Sequence, residues 1–265
     1  MQKTRVAIHG AAGRMGQRLV ALAHQDENLE LVAAIDYAEH PKLETDAGVL
    51  AGVGELELPL TASLDVDADA MIDFSLPAGA ESATAMCVEK GVGLVMATTG
   101  LSDAQQEAIR QAANTIPVVW APNMSLAVNL TMKLTEMAAK ALKDHPGGAD
   151  VEIIERHHRF KEDSPSGTAL KFGEIIAEQM GHTKHLHGRE GRIGARTHEE
   201  IGYHAVRTGD NPGEHTIVFG LLGETVELRV GATNRDSYAL GALGAARFLT
   251  ERQPGLYDMY DVLGL

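Results

Sequence analysis

The chain has 265 residues, 44% of them hydrophobic and 23% charged, an ordinary balance for a globular protein of one or two domains. A net charge of −14 argues against non-specific attraction to nucleic acid or an anionic membrane. The single cysteine, Cys87, excludes an intramolecular disulfide framework and fits a reducing cytoplasm, and no apolar run suggests a signal peptide or a transmembrane helix.

From the N-terminus, short β-branched runs alternate with helical patterns. "RVAIHG" (5–10) reads as a strand, residues 14–25 as a helix and "LELVAAID" (29–36) as a second strand. Residues 37–66 carry no pattern that assigns an element. Strand-like "DADAMIDFS" (67–75), helical "ESATAMCVEKG" (81–91) and strand-like "GLVMATTG" (93–100) follow. A helix over 102–114, with Ser102 and Gln105 spaced as a capping box, precedes the strand "IPVVWAPN" (116–123). Such alternation predicts a parallel sheet covered by helices on both faces.

After residue 125 the pattern changes. A long helix (about 125–143) leads through "DHPGGAD" into the strand "DVEIIERHH", and a helix follows "SPSGT". A polar stretch (181–199) then gives way to three successive strand-like runs, "IGYHAVRTG", "HTIVFGLL" and "TVELRVGA", which point to a mixed or antiparallel sheet. "SYALGALGAARFL" is helical again and is assigned back to the first domain. The expected fold is α/β: a Rossmann-like parallel-sheet domain (1–125 with 235–265) plus a smaller α+β domain with a mixed sheet (126–234).

Gly10, Gly13 and Gly16 fall between the first strand and the first helix. A phosphate-binding turn needs residues without Cβ so that its backbone can approach a pyrophosphate at a helix N-terminus. Asp36 closes the second strand 20 residues after Gly16, where an acid would hold a ribose diol. The competing reading is a glycine-rich turn beside a solvated aspartate. Strand, glycine turn, helix and acid together favour a dinucleotide. "ATTG" (97–100) and "APNMS" (121–125) end later parallel strands, where ligands of open α/β sheets bind.

"ERHHRFKEDSPSGTAL" (155–170) places His157, His158, Arg159 and Lys161 ahead of a helix start. With Ser164 as N-cap and Pro165 at the first helical position, the amides of Ser166, Gly167 and Thr168 would be donors for an anion. Crowded positive charge lowers the pKa of basic neighbours and brings them closer to proton transfer at neutral pH. A solvated basic loop with one core histidine is the plainer alternative.

"EIIERHHRFKEDSPSGTAL" closely resembles the signature E-x-H-H-x-x-K-x-D-x-P-S-G-T-A of the 4-hydroxy-tetrahydrodipicolinate reductase family, also called dihydrodipicolinate reductases. The likeness extends to "VAIHGAAGRMG", "IDFS", "TTG", "GEHTIVF" and "GLYDMYDVLGL", so it spans the chain. The resemblance implies NAD(P)H-dependent reduction of 4-hydroxy-tetrahydrodipicolinate to tetrahydrodipicolinate, with loss of water, in diaminopimelate and lysine biosynthesis. It implies proton transfer by His157 and Lys161 and binding of a cyclic dicarboxylate by His158, Gly167 and Thr168. It assigns nucleotide contacts to Gly10, Ala11, Ala12, Gly13, Arg14, Met15, Asp36, Ala97, Thr98, Thr99, Ala121, Pro122, Asn123 and Met124. A homotetramer built through the second domain's sheet is implied as well; a cytoplasmic location is expected from the composition, and no metal is expected because cysteine ligands and a clear ligand set are lacking.

Many members have glycine at the position of Ala97, and some have arginine where Tyr37 follows the ribose acid. Without that arginine NADH is expected to be favoured over NADPH. Three rival readings are another two-domain oxidoreductase, a nucleotide sensor without turnover, and a zinc protein using His182, His185 and His187.

Overall fold

Apolar β-branched runs at the start of the chain become short parallel strands in the computed structural model, which describes residues 2–265. The first elements are β1 (Thr4–His9), α1 (Arg14–Gln25), β2 (Leu29–Ile35), α2 (Ala47–Ala51), β3 (Leu60–Thr61) and β4 (Ala70–Asp73). They continue with α3 (Pro77–Lys90), β5 (Gly93–Met96), α4 (Asp103–Ala112) and β6 (Pro117–Trp120). All four residues of β4 and of β5 are buried, as strands covered on both faces must be. Pro77 occupies the first turn of α3, so that helix begins ahead of Glu81, and Gly91 ends it in a left-handed conformation. Ser102 and Gln105 form the capping box of α4. The unassigned segment 37–66 contains α2 and β3, organised by Asp46, whose carboxylate accepts from the amides of Val49, Leu56 and Leu58.

The second stretch runs α5 (Leu126–Leu142), β7 (Asp150–His157), α6 (Gly167–Met180), β8 (Lys184–His187), β9 (Glu200–Arg207), β10 (Glu214–Leu221) and β11 (Glu224–Gly231). Its sheet has the order β11-β10-β7-β9-β8, antiparallel at β10 with β11 and β7, parallel at β7 with β9 and β9 with β8. Alternation along β7 buries Val151, Ile153, Glu155 and His157, while α6, which contacts β7 and β9, buries Phe172 and Ile176. The histidine-rich polar stretch contributes β8, where His185 and His187 stack on Tyr203 and His185 Nδ1 sits 2.8 Å from the Tyr203 hydroxyl. Among the described residues no group of three His, Cys, Asp or Glu side chains could hold a metal ion.

The chain closes with α7 (Asp236–Leu249), β12 (Gly255–Tyr257) and α8 (Met259–Leu263). Ala239, Ala242, Leu243, Ala246 and Leu249 of α7 share one core with Val6, Ile8, Ile72 and Val95. β12 pairs with β6, completing a parallel seven-stranded sheet of order β12-β6-β5-β4-β1-β2-β3. Two units result. One runs to Leu126 and resumes over Asp236–Leu265, and the other is Ala127–Arg235.

Candidate functional site

In the first unit the strand order reverses between β1 and β4: from β1 the chain builds outward through β2 and β3, then returns to β4 on the other side. Ligands of such sheets bind at the carboxyl ends of the strands beside this reversal. Gly10 follows β1, Asp36 follows β2, Ala97 to Thr99 follow β5 and Ala121 to Met124 follow β6, so all four segments lie along that one edge.

The glycine turn is held by backbone contact. Gly10 has φ of +77°, and a Cβ there would come within 2.9 Å of the Phe74 carbonyl oxygen. A Cβ on Gly16 would lie 2.1 Å from the Gly10 carbonyl oxygen. The Gly13 amide donates to the Gly10 carbonyl, and Gly13 caps α1 without any side-chain acceptor. A turn so tight, leading straight into a helix N-terminus, fits a pyrophosphate. Ala11 is buried, while Gly13 and Arg14 are exposed and Ala12 and Met15 partly so. Asp36 Oδ2 accepts the Ala12 amide at 3.0 Å and Oδ1 accepts the Tyr37 amide at 3.0 Å, which fixes the carboxylate against the turn.

Two residues beneath this edge lie in the stretches "VAIHGAAGRMG" and "IDFS", but nothing in the sequence assigns them a role. Asp73, fully buried at the end of β4, accepts the Thr98 hydroxyl at 2.6 Å through Oδ2. Its Oδ1 lies 2.6 Å from His9 Nδ1, at the end of β1. Thr98 is therefore buried and fixed, whereas Thr99 and Pro122 are exposed. Asn123 accepts the Ser125 amide through Oδ1 at 2.9 Å, shaping the turn between β6 and α5.

In the second unit His157 ends β7 with its side chain on the buried face. Its Nδ1 lies 2.5 Å from Glu155 Oε2, two residues earlier on the same face. Arg207 donates to both Glu155 oxygens, at 2.7 and 2.8 Å. Burial raises the Glu155 pKa, but the hydrogen bonds from Arg207 and His157 outweigh it and hold the carboxyl below its ordinary value. Burial lowers the His157 pKa, and the charges of Lys161 and Arg207 add to that against the opposing pull of Glu155. His157 is thus neutral near pH 7, and burial contributes more to this than crowded charge does.

The helix start differs from the expectation. Ser166, not Ser164, is the N-cap of α6, with its Oγ accepting the Ala169 amide. The Ser166 amide donates to Glu155 Oε1 at 3.1 Å and is therefore committed inside the protein. Gly167 and Thr168 occupy the first helical positions, and apart from the adjoining backbone nothing lies within 4 Å of where a Gly167 Cβ would be, so an anion can approach there. Lys161 Nζ pairs with Asp163 Oδ1 at 2.7 Å, and the Asp163 carbonyl accepts from Arg207. His158 Nδ1 is buried without a hydrogen-bond partner. Arg159 and Phe160 are exposed. His215 on β10 pairs through Nε2 with Ser166 Oγ at 3.0 Å and meets His157 edge-on at 5.3 Å. Burial, aided by the charge of His157, pushes the His215 imidazole down to about 4.

Sequence models of dihydrodipicolinate reductase match both parts of the chain, the N-terminal model over residues 4–124 and the C-terminal model over residues 127–263. The chain is 58% identical to 4-hydroxy-tetrahydrodipicolinate reductase of Rhodopirellula baltica, covering 98% of this chain and 96% of that protein. It is 46% identical to the protein of the same name from Alkalilimnicola ehrlichii, covering 99% of each. Among solved structures, dipicolinate-bound dihydrodipicolinate reductase from Paenisporosarcina sp. TG-14 superposes with a TM-score of 0.79 at 29% identity, over 98% of this chain and 99% of that one. Agreement along both parts of the sequence, at this level of identity, has one meaning: the chain belongs to the dihydrodipicolinate reductase family.

Proposed function

We propose that this chain, an oxidoreductase by its family, reduces 4-hydroxy-tetrahydrodipicolinate to tetrahydrodipicolinate, with loss of water, on the diaminopimelate route to lysine. The observation that carries the reading is the buried Glu155–His157 pair beside the start of α6. It sets a neutral imidazole next to a place where a carboxylate can dock. Dipicolinate, the cyclic dicarboxylate bound to the Paenisporosarcina relative, supports the same substrate class here.

The cradle of Gly10, Gly13 and Gly16 fits a pyridine dinucleotide, with the Arg14 and Met15 amides at the α1 N-terminus and Asp36 for the ribose. The bound nucleotide supplies a hydride. Gly167, Thr168 and His158 orient the substrate's carboxylates, and His157 and Lys161 move the proton that accompanies reduction. Thr98, fixed by Asp73, and Ala97, Thr99 and Ala121 to Met124 line the nucleotide along the sheet edge.

NADH is the favoured coenzyme in this reading and NADPH the poorer one. A 2′-phosphate would meet the Asp36 carboxylate and then Glu39, with Tyr37 where a cation would be needed. The parts 1–125 with 235–265 and 126–234 act as nucleotide and substrate domains of a cytoplasmic homotetramer. The tetramer forms through the sheet face that carries exposed Ile154 and Val206. The first test is spectroscopic: reduced-nicotinamide absorbance should fall when the protein meets freshly made synthase product. No fall with either coenzyme would remove the proposal, and a monomer in light scattering would remove the tetramer alone.

A further inference from the structure

The proton-transfer role of His157 leaves open what presents the correct ring nitrogen. A neutral imidazole carries its proton on one nitrogen, and the hydrogen bond made by the other nitrogen's neighbour decides which. Here Nδ1 faces Glu155 Oε2 at 2.5 Å inside the sheet's buried face. Glu155 is itself immobile: Arg207 grips both oxygens and the Ser166 amide donates to Oε1. Such a carboxylate, kept ionised by a bidentate guanidinium, can only accept. The proton must then sit on Nδ1, and Nε2 is left as the acceptor that can exchange a proton with substrate.

Arg207 reaches further. While holding Glu155 it donates to the Asp163 carbonyl at 2.6 Å, and Asp163 pairs through its side chain with Lys161. One ion pair therefore sets both the ring orientation of His157 and the loop that carries Lys161. The charged and titratable groups around the His157 ring are Glu155 on its own strand, Arg207 on β9, His215 on β10 and Lys161 in the following loop. Of these only Glu155 stands where it can accept a hydrogen bond from Nδ1.

We infer that Glu155, clamped by Arg207, is the positioning residue of the proton-transfer site, fixing His157 as its Nδ1–H tautomer with Nε2 turned to the substrate. The inference rests on His157 acting in proton transfer, and it adds two residues that do not themselves touch the reacting atoms.

The test uses the full chain and two readouts. In ¹⁵N NMR of the wild-type protein at neutral pH, His157 should show a protonated Nδ1 and a bare Nε2, while the reverse tautomer would overturn the inference. In Glu155→Gln the neutral amide can no longer hold the ring in that state. Turnover should fall about 10²-fold or more, within the range of acid–base contributions, with the NADH dissociation constant unchanged. The His157 titration should also move further down, because the charge that opposed burial is gone. A folded Glu155→Gln protein with wild-type turnover and an unmoved titration would overturn the inference. Should that variant not fold, the wild-type tautomer decides alone. An inactive wild-type protein that still shows Nδ1–H would sink the assigned reaction and leave the positioning geometry standing.

Discussion

His9 Nδ1 lies 2.6 Å from Asp73 Oδ1 where β1 and β4 end side by side, and both side chains are buried. With the Thr98 hydroxyl on its other oxygen, Asp73 ties the strand leading into the glycine turn to the loop after β5. Asp73→Ala would orphan both partners in a dry site, at about 1–3 kcal/mol each. Urea unfolding should show a loss of about 2–6 kcal/mol, and NADH binding should weaken with it because Thr98 is released. Unchanged urea stability would mean that this network contributes nothing net.

Gly16→Ala tests the cradle itself. The added methyl would lie 2.1 Å from the Gly10 oxygen and 2.6 Å from Ala11 Cα, both backbone atoms that cannot turn aside. NADH affinity, followed by fluorescence titration, should drop by at least about tenfold. Retained affinity would place the pyrophosphate elsewhere.

His157→Ala and Lys161→Ala should lower turnover by about 10²–10⁴-fold while leaving NADH binding nearly intact. Thr168→Ala should act mainly on the KM for the dicarboxylate. A wild-type rate for Lys161→Ala would take that side chain out of the chemistry.

In the proposed reading, coenzyme choice turns on one missing cation. A charge-assisted contact to a phosphate is worth about 1.5–3 kcal/mol, so its absence at Tyr37 is worth about tenfold or more in selectivity. Parallel kinetics should give the higher kcat/KM with NADH, and Tyr37→Arg should raise the value with NADPH. A clear NADPH preference in the wild type would show that another cation, such as Lys42 or Arg14, reaches the 2′ position.

Stability should depend on pH through His215. Its folded pKa of about 4 lies below the ordinary 6.5, so the unfolded chain takes up a proton that the native state refuses. This contribution is complete above pH 6.5 and is lost as pH falls from there to about 4. The loss is on the order of 3 kcal/mol, at about 1.4 kcal/mol per unit. Urea midpoints across that window should fall in the wild type and fall less in His215→Gln. Parallel pH curves for the two proteins would contradict the assignment.

The alternation of buried strands and helices was legible because β4 and β5 are buried throughout and apolar but for Asp73, and the Ser102 cap because its pattern is local. The α6 cap was not. Ser164 and Ser166 flank the same proline, and what selects Ser166 is Glu155, 11 residues away on another element. In segment 37–66, a five-residue helix and a two-residue strand are too short to show a period. Glu155 stood in the sequence only as the first letter of the E-x-H-H signature, with no role attached. The period of two, which puts it on one face with Val151, Ile153 and His157, was the available signal. Asp73 and Arg207 depend on partners 64 and 52 residues away, which periodicity does not register.

The position of α7 governs the order in which the chain can mature. Its leucines and alanines complete the core beneath Val6, Ile8 and Val95, and β12 covers the otherwise open edge of β6. During synthesis from the N-terminus, the first six strands of that sheet therefore emerge with a bare apolar face and a bare strand edge. They must wait for residues 236–265, which end 145 residues after β6 and so are complete about 7–30 seconds later at about 5–20 residues per second. The intervening unit is continuous in sequence and can reach its own fold during that delay. A release of the chain before residue 236 would leave one finished unit joined to one that cannot close.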